Sequence, residues 1–130
     1  MGGDFAPEAI VLGAIEAQKE IPSEHTITLV GDSVAAKKIL EREGVNSSLF
    51  SFVHTTEVIE MADHATKAMR AKQDSSINVG FKLLSQGKLD AFSSAGNSGA
   101  MLIGSMFAVR PIAGVIRPCI TSVLPKESGG

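Results

Sequence analysis

The chain has 130 residues, 44% apolar and 20% charged, with 13 glycines; that is one ordinary domain able to bury about two-thirds of its unfolded surface, and it excludes a disordered chain, a collagen-like repeat and a coiled coil. Twelve basic residues stand against 14 acidic ones, a net charge of −2, so the counterion-release drive toward nucleic acid is weak. Six phenylalanines, with no tryptophan or tyrosine, leave few platforms on which single-stranded bases could stack.

Helix-like and strand-like blocks alternate along the chain. Pro7 suits the first position of a helix, and Ile10, Ala14, Ala17 and Ile21 recur on one face until Pro22 ends the run. Residues 26–31, β-rich and closed by Gly31, predict a strand. Asp32 or Ser33 caps a helix through Glu43, with Ala35, Ile39 and Leu40 inward and Gly44 supplying the C-terminal turn. Residues 49–54 predict the next strand. Residues 57–72 read as a helix, although Val58, Ile59, Met61 and Ala62 keep no clean register. Ser75 or Ser76 caps a helix over 77–86 that Gly87 stops. Residues 90–94 predict a short buried strand, which runs through 95–99 into a helix of small and apolar residues over 100–109. A loop punctuated by Pro and Gly covers 110–118, and 119–124 predicts a last strand with Cys119 in the core.

Apolar strands alternating with helices predict a three-layer α/β/α fold around a mainly parallel sheet, with 26–31, 49–54, 90–94 and 119–124 as neighbouring strands. No repeat, low-complexity tract or internal boundary appears, so 1–130 reads as a single domain. A Gly-Gly-Asp turn usually follows a strand and none precedes Met1; the chain is expected to be part of a longer protein. The apolar run at 100–109 is about ten residues with Ser105 inside it, well short of the ~20 that a membrane helix needs. The N-terminus lacks the basic and apolar segments of a signal peptide. A single cysteine, Cys119, excludes an internal disulfide framework and fits a reducing compartment. A soluble cytoplasmic protein is expected.

The segment 92–101, Phe-Ser-Ser-Ala-Gly-Asn-Ser-Gly-Ala-Met, carries the most chemistry. Read as strand, turn and helix, it places Gly96 and Gly99 where backbone can approach a ligand. Asn97 and Ser98 add side-chain donors, and free amides at a helix N-terminus favour an anion. Such a crevice, beyond the carboxyl end of a strand, is where open α/β sheets bind ligands; a plain packing turn is the alternative. As a polar loop residue at a helix start, position 97 is expected to tolerate Asp. Gly2-Gly3-Asp4 is a second glycine turn, in which Asp4 either caps the first helix or positions a donor. Lys67 and Arg70 share a helix face and, with Lys72, form a solvated basic patch or a surface for an acidic partner. His54 ends a strand and either lines the crevice or packs structurally. His25, His54 and His64 lack metal-ligand spacing, and Ser93, Ser94 and Ser98 have no His–Asp partners that would make a nucleophile.

Taken together, Met1-Gly-Gly-Asp-Phe-Ala-Pro7, Ile27-Thr-Leu-Val-Gly-Asp32, His54-Thr-Thr-Glu-Val-Ile-Glu60, Ala68-Met-Arg-Ala-Lys-Gln-Asp-Ser-Ser76, Ser94-Ala-Gly-Asn-Ser-Gly-Ala100 and Arg117-Pro118 resemble the bacterial phosphate acyltransferase family of phospholipid synthesis, PlsX. Order and spacing match across nearly the whole chain; position 98 is Ser where the family commonly has Thr. The resemblance implies transfer of a fatty acyl group from acyl carrier protein to inorganic phosphate, giving acyl phosphate. It also implies a fold similar to phosphotransacetylases and isopropylmalate-type dehydrogenases, a homodimer, peripheral membrane association, and no metal or organic cofactor. The chain would be the N-terminal part of such an enzyme, without its first strand. Asn97 and Ser98 are the expected catalytic residues; Gly3, Asp4, His54, Arg70, Ser94, Gly96 and Gly99 are the expected substrate-binding ones. The remaining alternatives are a short-chain phosphotransacetylase using acyl-CoA and a non-catalytic phosphate- or nucleotide-binding module.

Overall fold

The computed structural model describes residues 1–116 and 118–122. Pro7 stands just before helix α1 (Glu8–Glu20), and Val11 and Ile15 form its buried face. That face lies one residue away from the expected one: Ile10, Ala14 and Ala17 look instead onto an open cleft. Strand β1 (Ile27–Gly31) leads into helix α2 (Ser33–Arg42). Asp32 caps α2, its carboxylate accepting from the amides of Val34 and Ala35 at 2.9 and 3.1 Å. Gly44, at φ +68°, turns the chain away after the helix ends, a conformation open to Gly at little cost. A short 3-10 turn (Ser47–Leu49) precedes strand β2 (Phe50–His54).

β1 and β2 pair in parallel, with Ile27 opposite Phe50 and Gly31 opposite His54. Leu29 and Phe50 bury one face of this sheet against Val11, Ile15, Ala36, Ile39 and Leu40 of α1 and α2. Helix α3 (Ala65–Ala71), helix α4 (Ser76–Ser85, capped by Ser75) and helix α5 (Ser98–Ala108) surround a second core of Ile59, Ala68, Ile77, Phe81 and Ala100. α4 also reaches β1. The protein is thus α/β, with helices packed on a small parallel sheet.

Three expectations are corrected. Residues 90–94 form no strand and pair with none of the described residues in a ladder, because a cleft of about 940 Å³ separates 88–95 from the edge of β1. Residues 119–122 are likewise outside any strand, and 123–124 lie beyond the described residues; Cys119 is exposed and not in the core. The helix expected over 57–72 is reduced to α3. Its first half is an irregular loop whose main-chain groups are held from a distance, Glu57 bridging to Ser75 and the next carbonyls facing Lys72 and Asn97. Among the described residues, no helix is long and apolar enough to cross a membrane.

Candidate functional site

The two glycine turns, read separately in the sequence, meet in the structure backbone to backbone. A Cβ added at Gly2 would lie 3.5 Å from Gly96 Cα and 3.4 Å from Ile59 O. One added at Gly3, whose φ is +125°, would lie 3.1 Å from Ala95 O. At Gly3 a side chain would crowd Ala95 O in a backbone conformation that glycine alone adopts readily, which is the physical reason for glycine there, whereas a Cβ at Gly2 would make ordinary van der Waals contact. The 94–97 turn is closed from within, the Gly96 amide donating to Ser94 Oγ at 3.1 Å.

Asn97 links this turn to the rest of the fold with both ends of its amide. Its Oδ1 accepts from the Ala100 amide at 2.9 Å, capping α5. Its Nδ2 faces the carbonyls of Glu60, Met61 and Asp63 at 3.1, 3.3 and 3.0 Å. An amide nitrogen has two hydrogens, so these three acceptors commit it fully. The residue is 6% exposed. Asn97 therefore holds the turn and has no hydrogen left for a ligand. Ser98, the first residue of α5, is exposed, and the Ser98 and Gly99 amides have no acceptor among the described residues. Free amides at the start of a helix are the groups that hold anions. From Ser94, Gly96 and Ser98 a groove of about 310 Å³ continues past Met101, Leu102 and Ser105 to Cys119 and Ile120. It is polar at the turn and apolar along α5.

The other expected residues are placed apart from the turn or beside it. His54 is exposed, and its Nδ1 accepts from the Ser33 amide at 3.2 Å, with Ser33 Oγ 3.0 Å away. It thereby caps α2. A ring nitrogen that accepts from a backbone amide is unprotonated, which puts the neutral ring's hydrogen on Nε2. Asp4 is exposed, and α1 carries no side-chain cap, so the capping role does not hold. Arg70 and Lys67 are exposed on α3. Lys72 does not belong to that basic patch. α3 ends at Ala71, and Lys72 turns back so that Nζ donates to Asp63 Oδ2 at 2.6 Å and to Val58 O at 2.7 Å.

Sequence reasoning missed a knot of polar residues beside the turn. Asp74 accepts from Thr56 N and Oγ1 at 2.7 and 2.6 Å, and its own amide donates to Glu57 at 2.8 Å. The Thr56 hydroxyl, then its amide, hold the Asp74 carboxyl below the usual carboxylate range. Lys72, then the Glu60 amide, do the same for Asp63. These bonds join 55–58 to 72–76, two of the segments that carried the resemblance. The only available signal was the presence of charges at positions without helical spacing. Among the described residues, no three His, Cys, Asp or Glu side chains are grouped to hold a metal ion.

The profile of the family described as "Fatty acid synthesis protein" matches residues 1–130. The chain is 44% identical over 129 residues to a phosphate acyltransferase of Acetivibrio thermocellus, covering 99% of this chain and 38% of that protein. It is 43% identical over 130 residues to the phosphate acyltransferase of Clostridioides difficile, covering 100% and 38%. A phosphate acyltransferase of Anaeromyxobacter is 46% identical over 131 residues, covering 99% and 35%. The chain thus spans little more than a third of the length of these relatives. The match runs from Met1 to Gly130 and takes in both glycine turns and the polar knot between them, and by it the chain belongs to the fatty acid synthesis protein family.

Proposed function

We propose that this chain supplies the anion-binding part of an enzyme that moves a fatty acyl group from acyl carrier protein to inorganic phosphate. The observation that carries the reading is the pair of amides, Ser98 and Gly99, unpartnered among the described residues, at the start of an α5 whose cap is buried and held on both ends of its amide. Relatives over a third of whose length this chain matches are named phosphate acyltransferases. In the proposed step a phosphate oxygen attacks the thioester carbonyl carbon. The tetrahedral intermediate then expels the carrier sulfur, the C–S bond breaks, and the proton of hydrogen phosphate ends on the thiol. Acyl phosphate and free carrier thiol are the products. Holding the phosphate against the carbonyl removes much of the entropic barrier, and donors aimed at the developing oxyanion lower the rest.

In this scheme the Ser98 and Gly99 amides and the Ser98 hydroxyl bind an anion. Gly3, Gly96 and Ser94 shape the turn, and Asn97 positions it without touching substrate. Asp4, His54 and Arg70 do not line the groove, and in this reading they are further contacts to the substrate from outside it. The apolar run of the groove past Met101 and Leu102 suits the start of an acyl chain. Lys67 and Arg70 offer positive charge to an acidic carrier, acting mainly on association rate. The same reading places the enzyme in the cytoplasm as a homodimer that touches the membrane peripherally and needs no cofactor.

The direct experiment incubates the complete protein with acyl carrier thioester and phosphate, following acyl phosphate and free thiol. Absence of both products would end the proposal. Ser98→Pro isolates the amide. Proline is accepted at the first position of a helix, and Asn97, at φ −56° and ψ 110°, already has the extended backbone that precedes proline. The variant should fold normally and lose phosphate affinity about tenfold relative to Ser98→Ala, the equivalent of ~1.4 kcal/mol.

A further inference from the structure

We propose that Lys72 and Asp63 are positioning residues for the glycine turn at 95–99, acting through the 58–63 loop and Asn97. The proposal rests on the reading that this turn binds the anion. Between Glu57 and the start of α3 the chain has no regular structure, so its shape is set by side chains that reach its main-chain groups. On one side, Lys72 Nζ donates to Val58 O at 2.7 Å and to Asp63 Oδ2 at 2.6 Å, and the same Asp63 Oδ2 accepts from the Glu60 amide at 2.9 Å. On the other side, the carbonyls of Glu60, Met61 and Asp63 converge on Asn97 Nδ2.

Lys72 thus ties down both ends of a loop whose carbonyls fix the amide plane of Asn97. Asn97 in turn fixes the first turn of α5 through the Ala100 amide at 2.9 Å. The loop also backs the other glycine turn, since Ile59 O lies 3.4 Å from where a Gly2 Cβ would be. An isolated surface ion pair contributes little. This one is half-buried, with both side chains 31% exposed, and Lys72 is bonded to a carbonyl as well as a carboxylate. A small displacement of the loop would be passed directly to the amides of Ser98 and Gly99, and a misplacement of about 1 Å at a reacting group is costly in rate.

The test uses the complete protein and inorganic phosphate as the probe, with phosphate Kd measured by titration calorimetry beside the melting temperature. Lys72→Met keeps the length of the stem and removes the charge; Asp63→Asn keeps the loop's acceptor and removes the carboxylate. Both should weaken phosphate binding about tenfold, while Lys72→Arg, which reaches both acceptors, should stay within about threefold. A merely structural pair would lower the melting temperature and leave the Kd of the folded protein unchanged. That result, with the wild type binding phosphate, overturns the positioning role alone. A wild type that binds no phosphate overturns the anion-site reading and this inference with it. Should Lys72→Met fail to fold, Asp63→Asn and Lys72→Arg decide by the same comparison.

Discussion

Asn97→Asp should destabilise the protein strongly near neutral pH and less in acid, the reverse of what a polar loop residue at a helix start would suggest. The acceptor half of the side chain survives the change, because a carboxylate oxygen can still accept from the Ala100 amide. The donor half does not. Three carbonyls at 3.0 to 3.3 Å would face an oxygen in place of an amide nitrogen. Two lost bonds at ~0.5–1.5 kcal/mol each, plus carbonyls left without donors in a buried site, amount to about 3 kcal/mol. Charge adds to this, since an ionised carboxylate against carbonyl oxygens is disfavoured and the folded-state pKa of the new group rises above its unfolded value. The native state then binds the extra proton more tightly, so stability falls as pH rises through that range. Asn97→Ala is the control, because it also loses the donor and forfeits a cap contribution of ~1 kcal/mol, but carries no charge. Urea unfolding of both variants should therefore cross: Asn97→Asp is the more stable of the two at about pH 4.5 and no better than Asn97→Ala at about pH 8. Parallel curves, or an Asn97→Asp protein as stable as the wild type at the higher pH, would refute the clip.

Gly104→Ala should cost about 1–3 kcal/mol by overpacking, because the new Cβ would sit 2.3 Å from Phe81 Cδ2 and 2.4 Å from its Cε2; thermal unfolding alone and with Phe81→Leu, which should relieve the clash, checks it. Asp32, Asp63 and Asp74 all titrate below their ordinary values, through the α2 amides led by Ala35, through Lys72, and through the Thr56 hydroxyl respectively. Their native pKa values are depressed, so their contribution is complete above about pH 4 and is lost as pH falls through the native values. Urea midpoints measured through this range should drop toward acid, and Asp74→Asn should make that drop shallower. Lys67→Glu should slow association with an acidic carrier in a salt-dependent way without changing phosphate affinity, and an unchanged rate at low salt would remove this face from the docking surface.

What was legible in the sequence is what adjacent residues decide. Asp32 and Ser75 cap the helices they precede, and Gly44 and Gly87 end theirs at φ +68° and +67°. Each of these is a contest between a side chain or a backbone angle and groups two or three residues away. The strands 27–31 and 50–54 were legible for a similar reason, since short runs rich in β-branched or aromatic residues suit a pleated, half-buried surface. The parts that failed are set from elsewhere in the chain. The stripe Ile10, Ala14, Ala17 is as periodic as Val11 and Ile15, and only the position of the sheet decides which of them is covered. Residues 90–94 read as a strand from their place between a helix stop and a glycine turn, but that place cannot provide a neighbour within hydrogen-bonding distance, and the cleft beside β1 leaves them without one.

The site divides along the same line, within single residues. Half of Asn97 is local: an amide oxygen three residues before the Ala100 amide is a helix cap, and that half is readable from sequence. The other half reaches the 60–63 loop, which no spacing rule connects to position 97. Lys72 shows how a valid rule can mislead. Its proximity to Lys67 and Arg70 suggests one basic surface, but the helix stops at Ala71, and beyond a helix end the i,i+3 geometry no longer says where a side chain lies. Lys72 instead meets Asp63 and Val58, and the charge that looked available to a partner is engaged inside the fold. The two glycine turns were each recognisable because tight turns need glycine whatever surrounds them. Their contact adds a second demand at Gly3, whose φ of +125° and a Cβ position only 3.1 Å from Ala95 O disfavour any side chain, while Gly2 meets Gly96 at ordinary van der Waals distance. Sequence could locate the turns. The fold explains why Gly3 is glycine, and how two touching backbones and one buried asparagine hold the Ser98 and Gly99 amides in place.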